Sequence, residues 1–482
     1  MSSKSFQNAS KLNGIVSVLQ FGAVGDFDPA TGLGTDNTAA IQAAIDAAQS
    51  AGGFEVSIPS GIYKISSGLT ISSPISLVGY GVAVIAPNFA TGDALTLNSV
   101  SGNYSGVVIS NVSFDAPVVR TAGYYINVSS SFYTEISGCN FKDHYNGIGL
   151  TGAATAGFRV RDCFFNNGAN SNIIIAAATG TQGTTDIVIQ DVLFAGTNVG
   201  SQTNSGITIL SAGDIELRHV STVWSGVGLN VSVGAGNVVQ SLVVDGCYFD
   251  SGSGSGISLV TASTGEIQRA LISNTWSATN SSFGILIDGT NVKHTDIVSC
   301  TASNNGNIGI YFSKGSNVHI LGGSVSANTS HGISIAANQQ KFSVIGTTIG
   351  ATGQFAGNGG WGIVINGGTT TNFVIANCSF FNNTTGSIVN GSAFDAVRLI
   401  TNCVGYVSSN SGYATASAGV TQISVSHGLS VTPENVVISP SGQPEAADWY
   451  VGAVTSTTFT IHIGATTTTT RHFYWKASVT GI

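Results

Sequence analysis

Charge is what this chain has least of. Only 8% of its 482 residues are Asp, Glu, Lys or Arg, against about 25% in ordinary globular proteins. The 15 Lys and Arg are outnumbered by 23 Asp and Glu, for a formal net charge of −8. The cations form no run, so no nucleic acid is expected as a partner, because phosphate contacts need a basic surface. No apolar stretch reaches about 18 residues, so no membrane insertion is expected. The opening "MSSKSFQNAS" has no charged region followed by an apolar core, so no secretion signal is expected. Disorder is excluded as well. It needs low hydrophobicity and high net charge, and 42% of this chain is hydrophobic. A long chain with few charges must hide its backbone in regular pairing, which favours a large all-β architecture.

What the chain has instead is glycine, 63 residues of it, and a repeat. One phrase recurs: apolar-x-apolar-x-x-(Cys/Val/Thr)-x-Phe, polar turn residues, then Gly-Ile-x-(Ile/Leu). It appears as "EISGCNF…NGIGL", "FRVRDCFF…NIII", "LVVDGCYF…SGISL" and "FVIANCSFF…GSIV". The marker falls at Val112, Cys139, Cys163, Val192, Val220, Cys247, Thr275, Cys300, Val325, Thr347, Cys378 and Cys403, with spacings of 22 to 31 residues. Repeats of this length without helical periodicity predict a parallel β-helix of about twelve coils. Strand alternation predicts one inward row through Ile136, Val160, Leu217 and Val244. A second inward row runs through Phe141, Phe165, Phe194 and Phe249. All six cysteines sit at the marker. They are therefore expected as free, inward thiols rather than as three disulfides. Stacked neighbours such as Cys139 and Cys163 are close enough to bridge, but a ladder points their side chains in parallel.

Residues 18–65 lead into the repeat. A helix is expected over Asn37–Ser50, capped by Asp36 and stopped at Gly52-Gly53. It presents Ala40, Ile41, Ala44, Ile45 and Ala48 as a plug for the open end. The phrase "FGAVGD…TDNTAAIQAAIDAA…GG…IPSGIY" resembles the leading signature of the pectate-lyase-like superfamily, which includes polygalacturonases and many phage tailspikes. The resemblance covers roughly residues 18–405 and implies a right-handed parallel β-helix rather than one chemistry. After Cys403 the repeat fades. "TQISVSH", "ENVVIS", "DWYVGAVTSTTFTIHI" and "RHFYWKASV" read as a small C-terminal β-sandwich, similar to the modules of phage tail proteins that support trimer assembly or glycan binding. The expected division is a flexible tail over 1–17, a leading segment with the capping helix and first strands over 18–100, the β-helix over 101–405, and the C-terminal module over 406–482.

The phrase "SHGISI" at 330–335 resembles the histidine motif of the polygalacturonases. The aspartates that family places on neighbouring coils are missing, with Phe283 and Asn307 in the comparable region, and "ANQQKFSV" replaces its Arg-x-Lys. The mechanism does not carry over. His331 precedes a glycine where sister coils have Asn146, Ser205, Ser255, Phe283, Ile308 and Trp361, so it reads as a corner of the repeat.

A denser set of charges lies on the strand before the marker: Glu135, Arg159, Arg161, Gln190, Glu216, Arg218 and Asp245. Adjacent coils lie about 4.8 Å apart and alternate residues about 6.7 Å apart. Glu216 and Asp245 are then roughly 8 Å apart on one face, within the inverting-glycosidase range of about 6.5–9.5 Å. They are the catalytic candidates, with Arg159, Arg161, Arg218, Trp224 and Asp250 as substrate-binding candidates. Asp288 and the pair Asp143-His144 are secondary. The competing expectation makes Glu135–Arg159 and Arg218–Asp245 cross-coil ion pairs on a solvated sheet. No metal constellation or cofactor motif stands out. The resemblance implies a tailspike-like homotrimer on a phage tail. It would bind and cleave a bacterial surface polysaccharide (capsule or lipopolysaccharide), by hydrolysis rather than elimination. The alternative is a non-catalytic adhesin on the same scaffold.

Overall fold

The computed structural model describes residues 14–98, 106–152, 155–176, 184–196, 204–351, 353–392, 397–442, 448–464 and 468–479. Most of the expected tail and part of the Thr-rich loop near the C-terminus lie outside them. The chain divides into two compact units, Met1–Ser316 and Asn317–Ile482.

One coil of the first unit shows how the repeat is built. Strand Glu135–Ser137 belongs to a first parallel sheet. Gly138, at φ 62°, turns the corner. Cys139 points inward, and strand Asn140–Lys142 continues in a second sheet. Asp143, at φ 52°, makes the next corner, and Asn146–Leu150 forms a strand of the third sheet. The first corner recurs as Asn111, Asp162, Asp191, His219, Gly246, Asn274 and Ser299, all with positive φ. Asn and Asp tolerate this left-handed conformation better than most residues, and Gly adopts it freely. That is why the residue before the marker is small or polar.

Stacking is in register. Ile136, Val160, Ile189, Leu217 and Val244 follow one another through the first sheet. Phe141, Phe165, Phe194, Thr222 and Phe249 follow one another through the second. The rings of Phe114 and Phe141 lie 5.5 Å apart, those of Phe141 and Phe165 4.4 Å, and those of Phe165 and Phe194 4.9 Å. Both inward rows expected from alternation are present and buried. So is the marker row apart from the half-buried Cys403, and all six of its cysteines are free. The turns of the right-handed β-helix number about eleven.

Coiling begins earlier than residue 101. Glu55–Ile58, Gly61–Ile65 and Leu69–Ile71 already pair in parallel with the strands of the next turn. The marker pattern missed them because Pro59-Ser60 stands at that corner, with no Cys, Val or Thr. Order likewise begins inside the expected tail, where Ile15–Ser17 pairs with Glu55–Ser57. The capping helix, α1, spans Thr38–Ser50 and buries Ile41, Ala44, Ile45 and Ala48. Asn37 is its N-cap residue but caps nothing with its side chain. Asp36 does that from one residue earlier, accepting the Thr38 N–H at 3.0 Å.

The second unit holds further coils of the same design. Gln340–Ile345, Thr371–Ala376 and Arg398–Thr401 stack in parallel. Asparagines cross-link its turns, Asn328 and Asn358 buried and Asn383 partly so: Asn328 Nδ2 donates to Asn358 Oδ1 at 2.9 Å, and Asn358 Nδ2 to Asn383 Oδ1 at 2.8 Å. Two three-stranded antiparallel sheets then form the C-terminal sandwich: Ser409–Ala416, Arg471–Ser478 and Asn435–Pro440 in one, Gln422–Ser426, Thr458–Ile463 and Trp449–Val454 in the other. Phe459, Ile461, Phe473 and Trp475 fill the space between them. The Arg398 side chain, 3% exposed, pairs with Glu434 and ties the last coil to this module.

Two outcomes follow. Phe165→Ala opens a hole in the aromatic row and should lower unfolding free energy by about 3–5 kcal/mol, measured by urea titration. Glu434→Ala removes the carboxylate from a buried guanidinium and should cost about 3 kcal/mol, while Glu266→Ala, at the exposed Lys293 pair, should cost under ~1 kcal/mol.

Candidate functional site

The outward rows of the first sheet carry the charges. Glu135 and Arg159 are register partners, and so are Arg161, Gln190, Arg218 and Asp245 in succession. The partners in the ion pairs differ from those expected. Glu135 pairs with Arg161, whose Nε and Nη2 donate to Oε1 at 3.0 and 2.6 Å. Arg161 Nη1 also reaches Asp162 at 3.1 Å. Arg218 turns back along its own strand, and its Nε donates to Glu216 at 2.6 Å. The long arginine side chain spans two residues along a strand as readily as one coil across, so register alone does not choose the partner.

Arg159 is left over. It is exposed, and it makes no ion pair among the described residues. It lines a shallow depression of about 290 Å³ with Glu135, Arg161, Val188 and Gln190. The depression therefore offers a free guanidinium beside an amide and one wall of Val188. This combination suits a carboxylate carried on a sugar ring.

Glu216 and Asp245 lie on neighbouring coils of this sheet, displaced by two residues, since Glu216 is opposite Val243 and Arg218 opposite Asp245. That offset is again roughly 8 Å. Asp245 accepts Ser273 Oγ at 2.7 Å and Asn274 Nδ2 at 2.9 Å. The Ser273 bond first, then the Asn274 bond, holds its carboxyl below the ordinary range, with smaller help from His219 and Arg218. Asp245 is thus built to stay ionised. It can act as a base or bind a hydroxyl, but it cannot hold a proton near neutrality.

Trp224 and Asp250 are not on this face. They belong to the second sheet, around the corner formed by His219 and Gly246. Trp224 follows strand Ser221–Val223 with φ 59°, is 38% exposed, and donates its N–H to the Asp250 carbonyl at 3.3 Å. The outward row beside them holds Leu193, Ser221, Tyr248 and Trp276 in register. The sequence shows this stripe as an aromatic placed next to the inward position, as in Tyr248-Phe249. The structure therefore splits the seven candidate residues into five on one sheet and two on the next.

A second cavity of about 360 Å³ lies over residues 116–120, Asp143, His144 and 167–169. His144 is 1% exposed, and its Nε2 contacts Asn172 Oδ1 at 2.8 Å. Burial lowers its pKa to about 4, so it is neutral at physiological pH. Arg120, which sequence reasoning missed, is held by the carbonyls of Phe89 and Gly92 and lies over the Phe89 ring at 4.8 Å. The isolated Arg in "APVVRTAG" was the one signal for it. His331 in the second unit accepts the Trp361 N–H through Nδ1 at 3.1 Å, a bond to the next coil that fits a corner of the repeat.

With this geometry in view, comparison with known proteins is informative. The family model described as "Rhamnogalacturonase A/epimerase, pectate lyase-like" matches residues 15–249, and "Right handed beta helix region" matches 239–404. Mannuronan C5-epimerase AlgE2 of Azotobacter vinelandii is 29% identical over 270 residues, 49% of this chain and 24% of that enzyme. Alginate lyase 7 of the same organism is 31% identical over 163 residues, 28% of this chain and 18% of that protein. The matches thus span about a quarter or less of these relatives. Among solved structures, the A-module of epimerase AlgE6 from A. vinelandii aligns with a TM-score of 0.54 at 16% identity, over 81% of this chain and 98% of that one. The tailspike protein of E. coli bacteriophage HK620, solved with a pentasaccharide, aligns with a TM-score of 0.57 at 13% identity, over 98% and 94%. The chain is a right-handed β-helix protein whose first half, residues 15–249, is similar to the pectate-lyase-like family. In fold it resembles phage tailspikes.

The anchoring of Asp245 has a pH signature. A carboxylate whose folded pKa is depressed contributes stability above its unfolded pKa of about 3.9, and that stability is lost as pH falls through the folded value. Asp245→Asn should therefore cost about 1 kcal/mol at neutral pH and almost nothing at pH ~2, compared by thermal melts of the two proteins.

Proposed function

We propose that this protein binds a carboxylate-bearing bacterial surface polysaccharide along the outward face of the first sheet, as a tailspike-like receptor-binding protein. The observation that carries this is Arg159, unpaired in its depression beside Arg161 and Gln190. A stack of in-register strands holds such groups on a rigid, repeating surface, which suits a repeating polymer. The solved tailspike with its pentasaccharide and the epimerases named for mannuronan support glycan as the ligand class. A homotrimer mounted on a phage tail is part of the same reading.

Cleavage by hydrolysis is the second reading, favoured by the offset between Glu216 and Asp245. In it Asp245 is the base, and Glu216 must carry the proton beside Arg218. Glu216 Oε1 is already taken up by the Arg218 guanidinium, which leaves it poorly placed to face a glycosidic oxygen, so binding is the reading this geometry supports best.

Purified capsule or lipopolysaccharide separates the two. Binding with no loss of polymer size, weakened about tenfold by Arg159→Ala, supports the adhesin. Release of short oligosaccharides, reduced at least ~100-fold by Glu216→Gln or Asp245→Asn, supports the hydrolase. A monomer mass by light scattering at micromolar concentration removes the trimer.

A further inference from the structure

Two of the six cysteines stand apart from the rest. Thr401 pairs with Ala376 in parallel register, and Val404 bridges to Ser379. Cys403 therefore lies directly across from Cys378 on the neighbouring coil of the second unit. The spacing of adjacent strands, about 4.8 Å, falls within the Cα separation of about 4.4–6.8 Å that a disulfide spans. Cys378 is fully buried, while Cys403 is half-buried and open to a reagent. Cys139 and Cys163 stack in the same way in the first unit, but both are buried.

Parallel thiols in a ladder rest at non-bonded contact, and their sulfurs must close to about 2.05 Å to bond, which takes side-chain rotation and some movement of the backbone. Within a stack, coils on both sides resist that movement. Strand Arg398–Thr401 has a parallel neighbour on one side only among the described residues, namely Thr371–Ala376. The strand leading to Cys403 therefore has one parallel coil to move against, whereas Cys139 and Cys163 lie between coils on both sides.

We propose that Cys378 and Cys403 form an oxidisable pair, closed to a cross-coil disulfide by a small-molecule disulfide oxidant. Cys403 attacks as the thiolate. One sulfur of the oxidant bonds to Cys403 Sγ, and the other leaves as a thiolate. Cys378 Sγ then gives up its proton and attacks Cys403 Sγ, releasing the second thiol. The protein loses two hydrogens, and one oxidant molecule becomes two thiols. The proton distribution agrees with these roles. The Cys378 thiol beside it lowers the Cys403 pKa to about 7, and the same contact together with burial raises that of Cys378. Closure staples the last coil to its neighbour, next to the Arg398–Glu434 link to the C-terminal module.

The test is thiol mapping of the full chain. The reduced protein is incubated with oxidised glutathione, denatured, alkylated and digested with trypsin. Cys378 then lies in the peptide 342–398 and Cys403 in the peptide 399–471. The expected result is loss of two of six alkylations and a cross-link between those two peptides that dithiothreitol reverses. Cys403→Ser, at a half-exposed site, should keep the fold and abolish the cross-link, whereas Cys163→Ser should leave it intact. The melting temperature should rise by several degrees on oxidation in wild type and not in Cys403→Ser. Six alkylated thiols after oxidation overturn the proposal. So does a glutathione adduct that persists on Cys403, or a cross-link between Cys139 and Cys163 instead.

Discussion

Every coil has to match the coil beneath it, residue for residue. This in-register stacking is the constraint on which the rest of the structure depends. It favours like residues at inward positions one turn apart, as in the four aligned phenylalanines from Phe114 to Phe194, although Thr222 interrupts that row. It sets the corners too, because a turn that fails to reach the left-handed conformation shifts every strand after it. Asn111, Asp162, Asp191 and Asn274 meet that demand with short polar side chains.

The same constraint organises the surface. A chain with so few charges places many of them on outward rows of one sheet, where stacking brings them within reach of one another. Exposed ion pairs of this kind contribute only about 0–1 kcal/mol each, so the fold does not rest on them. Its stability comes from burial and from ladders such as Asn328–Asn358–Asn383. The charged face is therefore free to be used for recognition. Arg159 marks the place where pairing within the sheet leaves a cation over.

Much of this was legible before any coordinates. The marker spacing announced the coils, and alternation assigned the inward rows through Ile136 and Phe141. The placement of all six cysteines at one repeat position argued against disulfides between distant parts of the chain. What escaped was local and angular. Glu135 chose Arg161, two residues further along the neighbouring coil, over its register partner Arg159, because a long arginine side chain reaches diagonally between coils as well as straight across. Trp224 lay a whole corner away from Glu216, because a single left-handed residue turns the chain onto another face. Coiling before residue 101 escaped because Pro59-Ser60 replaces the marker there. Arg120 escaped because its partners are backbone carbonyls 28 to 31 residues away.

The sequence by itself determined the architecture: a period of 22 to 31 residues, strands of alternating burial, a helical plug and a β-sandwich after the last marker. It could do so because stacking turns a one-dimensional repeat into a three-dimensional one without further information. Only the tertiary structure decided which charges pair and which is left over among the described residues, which candidate residues share a face, and that the strand before Cys403 has one parallel neighbour among those residues. Those depend on side-chain reach, corner angles and the ends of the stack, none of which a repeating pattern of residue types encodes.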